Sequence, residues 1–210
     1  MNVAEVFLGL LLGIGLAAAC GFRVFVPLLV VSIAQRAGHL ELAQGFQWIG
    51  SWPALLCFAV ATVLEVLAYY IPWLDNLLDT VATPLAVVAG AVLTASVVGD
   101  LSPVLRWGLA VVAGGGTAAV VQAATTMTRA TSSVTTGGLG NPVVSTVEAG
   151  ASTGLSVLAV LMPVLAGLIA LGLVALAVWV AVRLARRRRA GRPPEAGDQP
   201  ARGTGNSHSP

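Results

Sequence analysis

The residues most able to do chemistry in this chain are charged side chains set within apolar stretches. Arg23 and Arg129 each follow a run of small apolar residues, and Glu65 and Glu148 lie in or beside other apolar runs. A charge at membrane depth is costly unless it is paired, hydrated or turned toward a polar interior. We therefore predict that these groups share a polar core. Such a core either handles a small solute or ion, or only fixes the register of the helices through ion pairs.

Two of these charges have simpler alternative interpretations. Arg23 lies in the segment GFRVFVP, where it can mark a membrane boundary with Phe22 and Phe25 as interface aromatics. Glu65 lies two thirds of the way along its apolar run, so it is either deep enough to need a partner or one turn inside the interface. The sequence leaves both choices open.

Two further carboxylates, Asp75 and Asp79, lie in PWLDNLLD at the start of an apolar run. Their spacing of four residues places them on one face of a helix. Carboxylates in the first turns of a helix suit the positive end of its dipole, and a cation-handling pair is the second interpretation. We include both residues among the candidates for the polar core.

A polar island, RATSSVTTGGLGNPVVSTVE, extends from Arg129 to Glu148 between two apolar runs. Non-helical backbone at membrane depth is tolerated where it lines a cavity or is buried in protein. We expect TGGLGNP to form a ligand or ion cradle with a helix starting at Asn-Pro, and an ordinary loop outside the membrane is the alternative. The candidate pathway residues here are Ser132, Ser133, Thr136, Gly137, Gly138 and Asn141.

Several chemistries lack the residues they need. The two histidines, His39 and His208, lie in a loop and in the tail, the chain has no lysine, and Cys20 and Cys57 lie inside apolar runs. Hydroxyl nucleophiles would have no histidine or lysine beside them in the core as an activating base. We therefore predict no metal, no cofactor and no enzymatic activity, with a membrane enzyme built on paired carboxylates as the third interpretation.

The composition predicts an integral membrane protein. Of the 210 residues, 57% are hydrophobic and 10% are charged, with a mean hydropathy of +0.89. Soluble globular domains carry about 25% charged residues. Several windows of about 20 apolar residues are long enough to cross ~30 Å of hydrocarbon as helix. We expect an all-α fold, namely a polytopic helical bundle with five to six spans and broken helices.

The first apolar stretch is too long to be one span. Residues 3–37 would form a helix of about 52 Å at 1.5 Å per residue, so we expect a break near Gly21 to Pro27. The apolar runs predict spans near 3–35, 53–71, 77–98, 104–128 and 155–182. The number of spans and the side of the amino terminus stay open.

The arginines of the chain concentrate after the last apolar run, between Arg183 and Arg192. Basic residues favour the cytoplasmic side of a span, so we predict a cytoplasmic carboxyl terminus in a multi-pass protein of the inner (plasma) membrane. The predicted domains are a transmembrane domain at 1–185 and a basic, then disordered, tail at 186–210. Anionic lipid headgroups are the expected partners of the arginines; nucleic acid is not, and homo-oligomer formation is left open.

The two halves of the chain repeat some features at an offset of 106 residues. This offset aligns Gly9 with Gly115 and Arg23 with Arg129, and in each half an acid opens a later apolar helix. Transport folds often contain such duplications with interrupted helices and a site between the repeats. We predict an internal repeat, of the inverted type common in those folds.

Three motifs together resemble a known family. GFRVFVPLL, PWLDNLLD and TRATSSVTTGGLGNPVVSTVE, in this order, resemble the domain-of-unknown-function family numbered 4126, which consists of bacterial multi-pass membrane proteins. The resemblance covers roughly residues 5–182. It implies a bacterial membrane location and a helical fold, and it brings no assigned activity, cofactor or catalytic residue.

The functional prediction is a small-solute or ion transporter or a channel-like protein. Arg23, Arg129 and Glu148 would lie in its polar interior, and the TGGLGNP segment would form part of the pathway or gate. The alternative is a non-transporting membrane scaffold or assembly factor, whose working surfaces would be the small-residue helix faces and the tail.

Overall fold

The computed structural model describes residues 3–68, 72–99 and 101–190, with side chains described except at 72–79 and 188–190. All regular elements in these ranges are helical. The chain divides into two compact units, Met1–Val178 and Trp179–Pro210. The helices are α1 (Val3–Phe22), α2 (Phe25–Arg36), α3 (Trp52–Ala68), α4 (Pro72–Val97), α5 (Pro103–Thr136), α6 (Asn141–Leu161) and α7 (Pro163–Ala190), with a short 3-10 helix at Gln47–Gly50.

Five of these helices are long and apolar enough to cross a membrane. The candidate spans within the described residues are Val3–Phe22, Thr80–Val97, Pro103–Thr136, Asn141–Leu161 and Pro163–Arg187. Helices α2 and α3 are apolar but shorter. The all-α, polytopic membrane fold is thereby confirmed. The expected break in the first apolar stretch is also present, because α1 ends at Phe22 and α2 begins at Phe25.

The polar island is more helical than the sequence predicts. Helix α5 continues to Thr136, only residues 137–140 form a turn, and α6 begins at Asn141 as expected. The predicted span ends at 128 and 155 were therefore wrong, because the hydroxyls do not interrupt the helices. Thr131 and Thr136 each donate to a carbonyl of the preceding turn, at 2.9 and 2.7 Å, which satisfies the hydroxyl inside its own helix.

Two glycines end α5. Gly137 and Gly138 have φ of 63° and 87°, a left-handed conformation that glycine adopts without steric cost and that commonly terminates helices. The chain then reverses, and Gly140 donates its N–H to the Thr136 hydroxyl oxygen at 3.0 Å. The connection between α5 and α6 is thus a short, polar turn.

Helix α1 packs closely against α4 through small residues. A Cβ atom on Gly13 would lie 2.8 Å from Cγ2 of Thr94, and one on Gly9 would lie 2.7 Å from the carbonyl oxygen of Val97. The hydroxyl of Thr94 donates to the Gly13 carbonyl at 3.1 Å. Close backbone approach through small residues is a usual way for membrane helices to associate. Because the later residue of α1, Gly13, lies beside the earlier residue of α4, Thr94, the two helices are antiparallel.

Helices α5 and α6 also pack against α1 and run in opposite directions. On α5, Gly114 lies beside Thr94, and Val121 lies further along beside Gly21, so α5 is parallel to α1. In an inverted repeat, two equivalent helices such as α1 and α5 would be antiparallel. Their parallel arrangement is the one expected of a parallel repeat. The internal repeat itself stays a prediction.

Helix α6 is antiparallel to α1. The hydroxyl of Ser152 donates to the Ala19 carbonyl at 2.9 Å, and Ala159 lies beside Gly15, nearer the start of α1. The amino-terminal end of α6 therefore lies beside the carboxyl-terminal end of α1. This arrangement brings the polar residues of α6 to the break that follows α1.

Helices α2 and α3 form a shorter antiparallel hairpin. At one end Arg36 donates to the Gly50 carbonyl at 3.1 Å and lies over the Trp52 ring at 3.8 Å. The connection between them also touches the end of α4, where Ala43 donates its N–H to the Ser96 carbonyl at 2.8 Å. Helix α2 therefore runs back from the break toward the level at which α1 begins, and α3 returns.

Candidate functional site

A buried ion-pair cluster lies where α1 ends. Nη2 of Arg23 is 3.4 Å from Oε2 of Glu148, and Nε of Arg129 is 3.3 Å from Oε1 of the same carboxylate. Arg23, Arg129 and Glu148 are 1%, 2% and 4% exposed. One carboxylate of α6 thus bridges two arginines, one from the break after α1 and one from α5.

Arg23 is held by a second residue of α6. Its Nη2 donates to the backbone carbonyl of Ser145 at 3.1 Å and to the Ser145 hydroxyl oxygen at 2.5 Å. Ser145 lies about one turn before Glu148, so the same face of α6 supplies both contacts. The guanidinium of Arg23 is thus buried inside the protein, and its position relative to the membrane boundary stays a prediction.

Glu65 binds the backbone at the break between α1 and α2. Its two carboxylate oxygens accept the backbone N–H groups of Val24 and Phe25 at 2.8 and 3.1 Å, and the residue is 7% exposed. The first N–H groups of a helix lack carbonyl partners within that helix, and a carboxylate satisfies them with strong, charge-assisted bonds. The Glu65 carboxylate therefore satisfies the two amides that the break leaves at the start of α2.

These four groups balance in charge. Both arginine side chains interact electrostatically with Glu65 as well as with Glu148. Two positive and two negative side chains thus lie together in the interior, which offsets part of the cost of removing each from water. The prediction that Arg23, Arg129, Glu65 and Glu148 share a polar core agrees with this geometry.

The remaining candidates of the polar island lie at the turn between α5 and α6. Asn141 is 5% exposed and donates from Nδ2 to the Ser133 hydroxyl at 2.8 Å. Ser132 and Thr136 border Gly140, and Gly137 and Gly138 form the turn. Thr136 lies seven positions after Arg129, which is about 10 Å of helix. The candidates therefore divide into a buried charge cluster and a polar turn one layer above it.

Asp75 and Asp79 lie in α4 but outside the residues whose side chains the structure describes. Their membership of the polar core stays a prediction.

The structure adds polar residues that the sequence reasoning did not single out. The hydroxyl of Thr125 donates to the Gly21 carbonyl at 3.3 Å, and that of Ser152 donates to the Ala19 carbonyl. The available signal was spacing, since buried polar residues recur every three to five positions along one face of each helix. On α5 they are Thr117, Gln122, Thr125 and Arg129, and on α6 they are Asn141, Ser145, Glu148, Ser152 and Ser156.

We call the part of these two faces from Thr117 to Arg129 on α5 and from Ser145 to Ser156 on α6 the polar stripe. The two parts are about 18 Å and 16 Å of helix at 1.5 Å per residue. Ser152 and Ser156 are 0% exposed. The stripe thus extends from the charge cluster along α1 over roughly half of a ~30 Å hydrocarbon layer.

The fold and this cluster define a class: a polytopic helical membrane protein with an interrupted helix and buried charges at the break. Residues 10–183 match the family described as Domain of unknown function (DUF4126). Because this match covers most of the 210 residues, the chain belongs to that family, as its three motifs suggested. No curated protein and no solved structure gave a match.

Removing the charge of Glu65 should weaken the break. In Glu65→Gln one side-chain oxygen remains for two N–H groups, and the other position becomes a donor that faces an amide. Since a hydrogen bond to a charged group contributes roughly 1.5–3 kcal/mol, we expect the melting temperature in detergent to fall by roughly 4–10 °C.

The matched control is Glu41→Gln, which makes the same chemical change at an exposed position in the α2–α3 connection. Surface substitutions usually change stability by less than about 0.5 kcal/mol. Equal melting temperatures for the Glu65 and Glu41 variants would contradict the capping role.

Proposed function

We propose that the protein moves a small solute or ion across the membrane through an interior centred on Arg23, Arg129 and Glu148. The observation that carries the proposal is the polar stripe. It joins a buried charge cluster to hydroxyl and amide side chains on the faces of α5 and α6 that surround α1. Intramembrane charges that face a protein interior commonly mark substrate or ion pathways.

The interrupted helix supports the same proposal. Transport folds often place their sites where a membrane helix is broken, because the break supplies polar backbone groups at depth. Here the break between Phe22 and Phe25 supplies the amides bound by Glu65, and Arg23 lies within it. The break and the charge cluster are therefore one site.

In this proposal the site opens toward one side of the membrane. Helix α1 is 20 residues long, or about 30 Å, and Arg23 directly follows it. The α5–α6 turn lies about 10 Å of helix beyond, and its residues Gly138 and Gly140 are half-buried, as is Ser133 near the end of α5. In this proposal the turn forms the approach, and the polar stripe leads from the cluster toward the other side.

One observation favours the alternative of a non-transporting scaffold or assembly factor. The hydroxyls of Thr125, Ser152 and Ser156 all donate to backbone carbonyls, and Glu148 bridges the two arginines. A core with its polar groups satisfied in this way can fix helix register without admitting water. Hydration of the stripe is therefore the property that separates the two proposals.

Cysteine accessibility measures that hydration. In a chain with Cys20 and Cys57 replaced by alanine, we would introduce cysteine singly at Ser133, Ser145 and Ser156 and treat intact cells with a small, membrane-impermeant thiol reagent. Transport through the stripe predicts labelling at all three positions, with a rate that falls with depth from the turn. The change from serine to cysteine is small, so the packing is largely kept.

Thr153→Cys is the matched control, because Thr153 lies on α6 but is exposed on its outer face, where lipid would exclude the reagent. Labelling of Ser133→Cys alone, with the two deeper positions as protected as Thr153→Cys, would sink transport. That outcome would support the scaffold.

We also propose that the end of α7 faces the cytoplasm at the lipid headgroups. The Arg183 guanidinium lies 4.9 Å from the centre of the Trp179 ring, and aromatic and basic residues together are typical of a membrane interface. Arg186 and Arg187 follow as exposed residues. Anionic lipid is the partner that this basic surface suits.

A further inference from the structure

We infer that the charge cluster binds a small monovalent anion, of the size of a halide ion or a small carboxylate, and that the Glu148 carboxylate occupies its place when no anion is bound. The inference rests on the proposed function, since it names the class of solute. Its basis is the charge, the donors and the geometry around Glu148.

The charges closest to Glu148 are positive in excess. Arg23 and Arg129 both approach this one carboxylate, and together with the nearby carboxylate of Glu65 they surround it with a net charge of +1. The carboxylate of Glu65 is engaged elsewhere, on the N–H groups of Val24 and Phe25, where a helix start carries about half a positive charge. The surroundings of Glu148 therefore attract one negative charge.

The groups around Glu148 are donors. Arginine side chains donate and cannot accept, and the Ser145 hydroxyl, which accepts from Arg23, lies beside them. A cation at this position would meet two guanidinium groups, and like charges brought together cost several kcal/mol. The site therefore selects against cations by repulsion, which is the sign of discrimination that an anion site needs.

The position of Glu148 shows what an anion would replace. Its oxygens lie 3.4 Å from Arg23 Nη2 and 3.3 Å from Arg129 Nε. The carboxylate thus lies between two guanidinium groups that would donate equally well to an anion of similar size. An incoming anion competes for the same guanidinium groups, and the flexible Glu148 side chain moves aside.

The test uses the purified full-length protein in detergent, with thermal unfolding measured in sodium chloride, formate or gluconate at equal sodium concentration. Gluconate is too bulky for the place of one carboxylate. Wild-type protein is expected to melt at a higher temperature in chloride or formate than in gluconate. This shift in melting temperature should saturate as the anion concentration rises. At 100-fold excess over the dissociation constant the shift is roughly 5–10 °C.

The variant Glu148→Ala makes the test sharper, because it removes the internal carboxylate and leaves space for an external one. It is expected to melt lower than wild type in gluconate and to regain stability saturably in formate. A stronger response to chloride than to formate would identify a halide site, and the reverse a carboxylate site. Arg129→Gln should reduce the response, and Glu41→Gln should respond as wild type.

No saturable anion effect in either wild type or Glu148→Ala would overturn the inference. Should the alanine variant not fold, flux through wild-type protein in liposomes decides. Anion-selective flux supports the inference, and cation-selective flux overturns it while leaving transport intact. Saturable anion binding without any flux would instead sink the transport proposal and leave the anion site standing.

Discussion

Replacing Glu148 with glutamine is expected to destabilise the folded protein by about 3–5 kcal/mol, the usual cost of leaving buried charge without its counterion. Two arginines, 1% and 2% exposed, would share a neutral amide in place of a carboxylate. The expected loss is large because one carboxylate forms an ion pair with both positive charges. Equilibrium unfolding in mixed micelles, followed by a spectroscopic signal of the folded protein, measures this loss in the free energy of unfolding.

A double variant gives the sharper comparison. If Glu148→Gln destabilises by leaving unbalanced charge, then adding Arg129→Gln should restore part of the stability, because it removes one of the two positive charges. Two destabilising changes would then be less than additive, as expected for residues that interact directly. A double variant less stable than Glu148→Gln alone would contradict the shared ion pair.

The second large effect is expected at Gly114, where α5 meets α4. A Cβ atom there would overlap Oγ1 of Thr94 and would lie 2.6 Å from the Gly90 carbonyl oxygen. Thr94 cannot simply turn away, because its hydroxyl is bonded to the Gly13 carbonyl of α1. Gly114→Ala therefore pushes on three helices, and overpacking of this kind costs about 1–3 kcal/mol.

Gly116→Ala is the matched control for this prediction. Gly116 lies two residues along the same helix, and a Cβ atom added there meets nothing within 4 Å. Alanine at an open helical position favours the helix over glycine by roughly 0.5–1 kcal/mol. The two variants should thus differ in sign in the same unfolding experiment, and equal stabilities would contradict the close packing of α5 on α4.

The sequence by itself determined the class of the protein and the position of its first break. Its apolar composition requires a membrane, and a continuous helix over residues 3–37 would be longer than a bilayer is thick. The segment GFRVFVP combines a charge with a proline, and both disfavour an uninterrupted apolar helix there. The three motifs also indicated the family that residues 10–183 match.

The composition of the polar island did not predict that most of it is helical. Hydroxyls and glycines between 129 and 146 read as loop, yet threonine in a helix can donate to the carbonyl one turn earlier, as Thr131 and Thr146 do. Composition does not tell these two uses of a hydroxyl apart. Within the island, only Gly137 and Gly138 have a positive φ, and they form the turn.

The pairing of the charges was decided by the tertiary structure alone. The sequence identifies Arg23, Arg129, Glu65 and Glu148 as costly in lipid, but an ion pair between residues 125 apart depends on which helices become neighbours. The small-residue contacts of α1 with α4, α5 and α6 bring Glu148 to both arginines and leave Glu65 to the amides of α2. Burial cost is a property of one residue, whereas its compensation is a property of the packing around it.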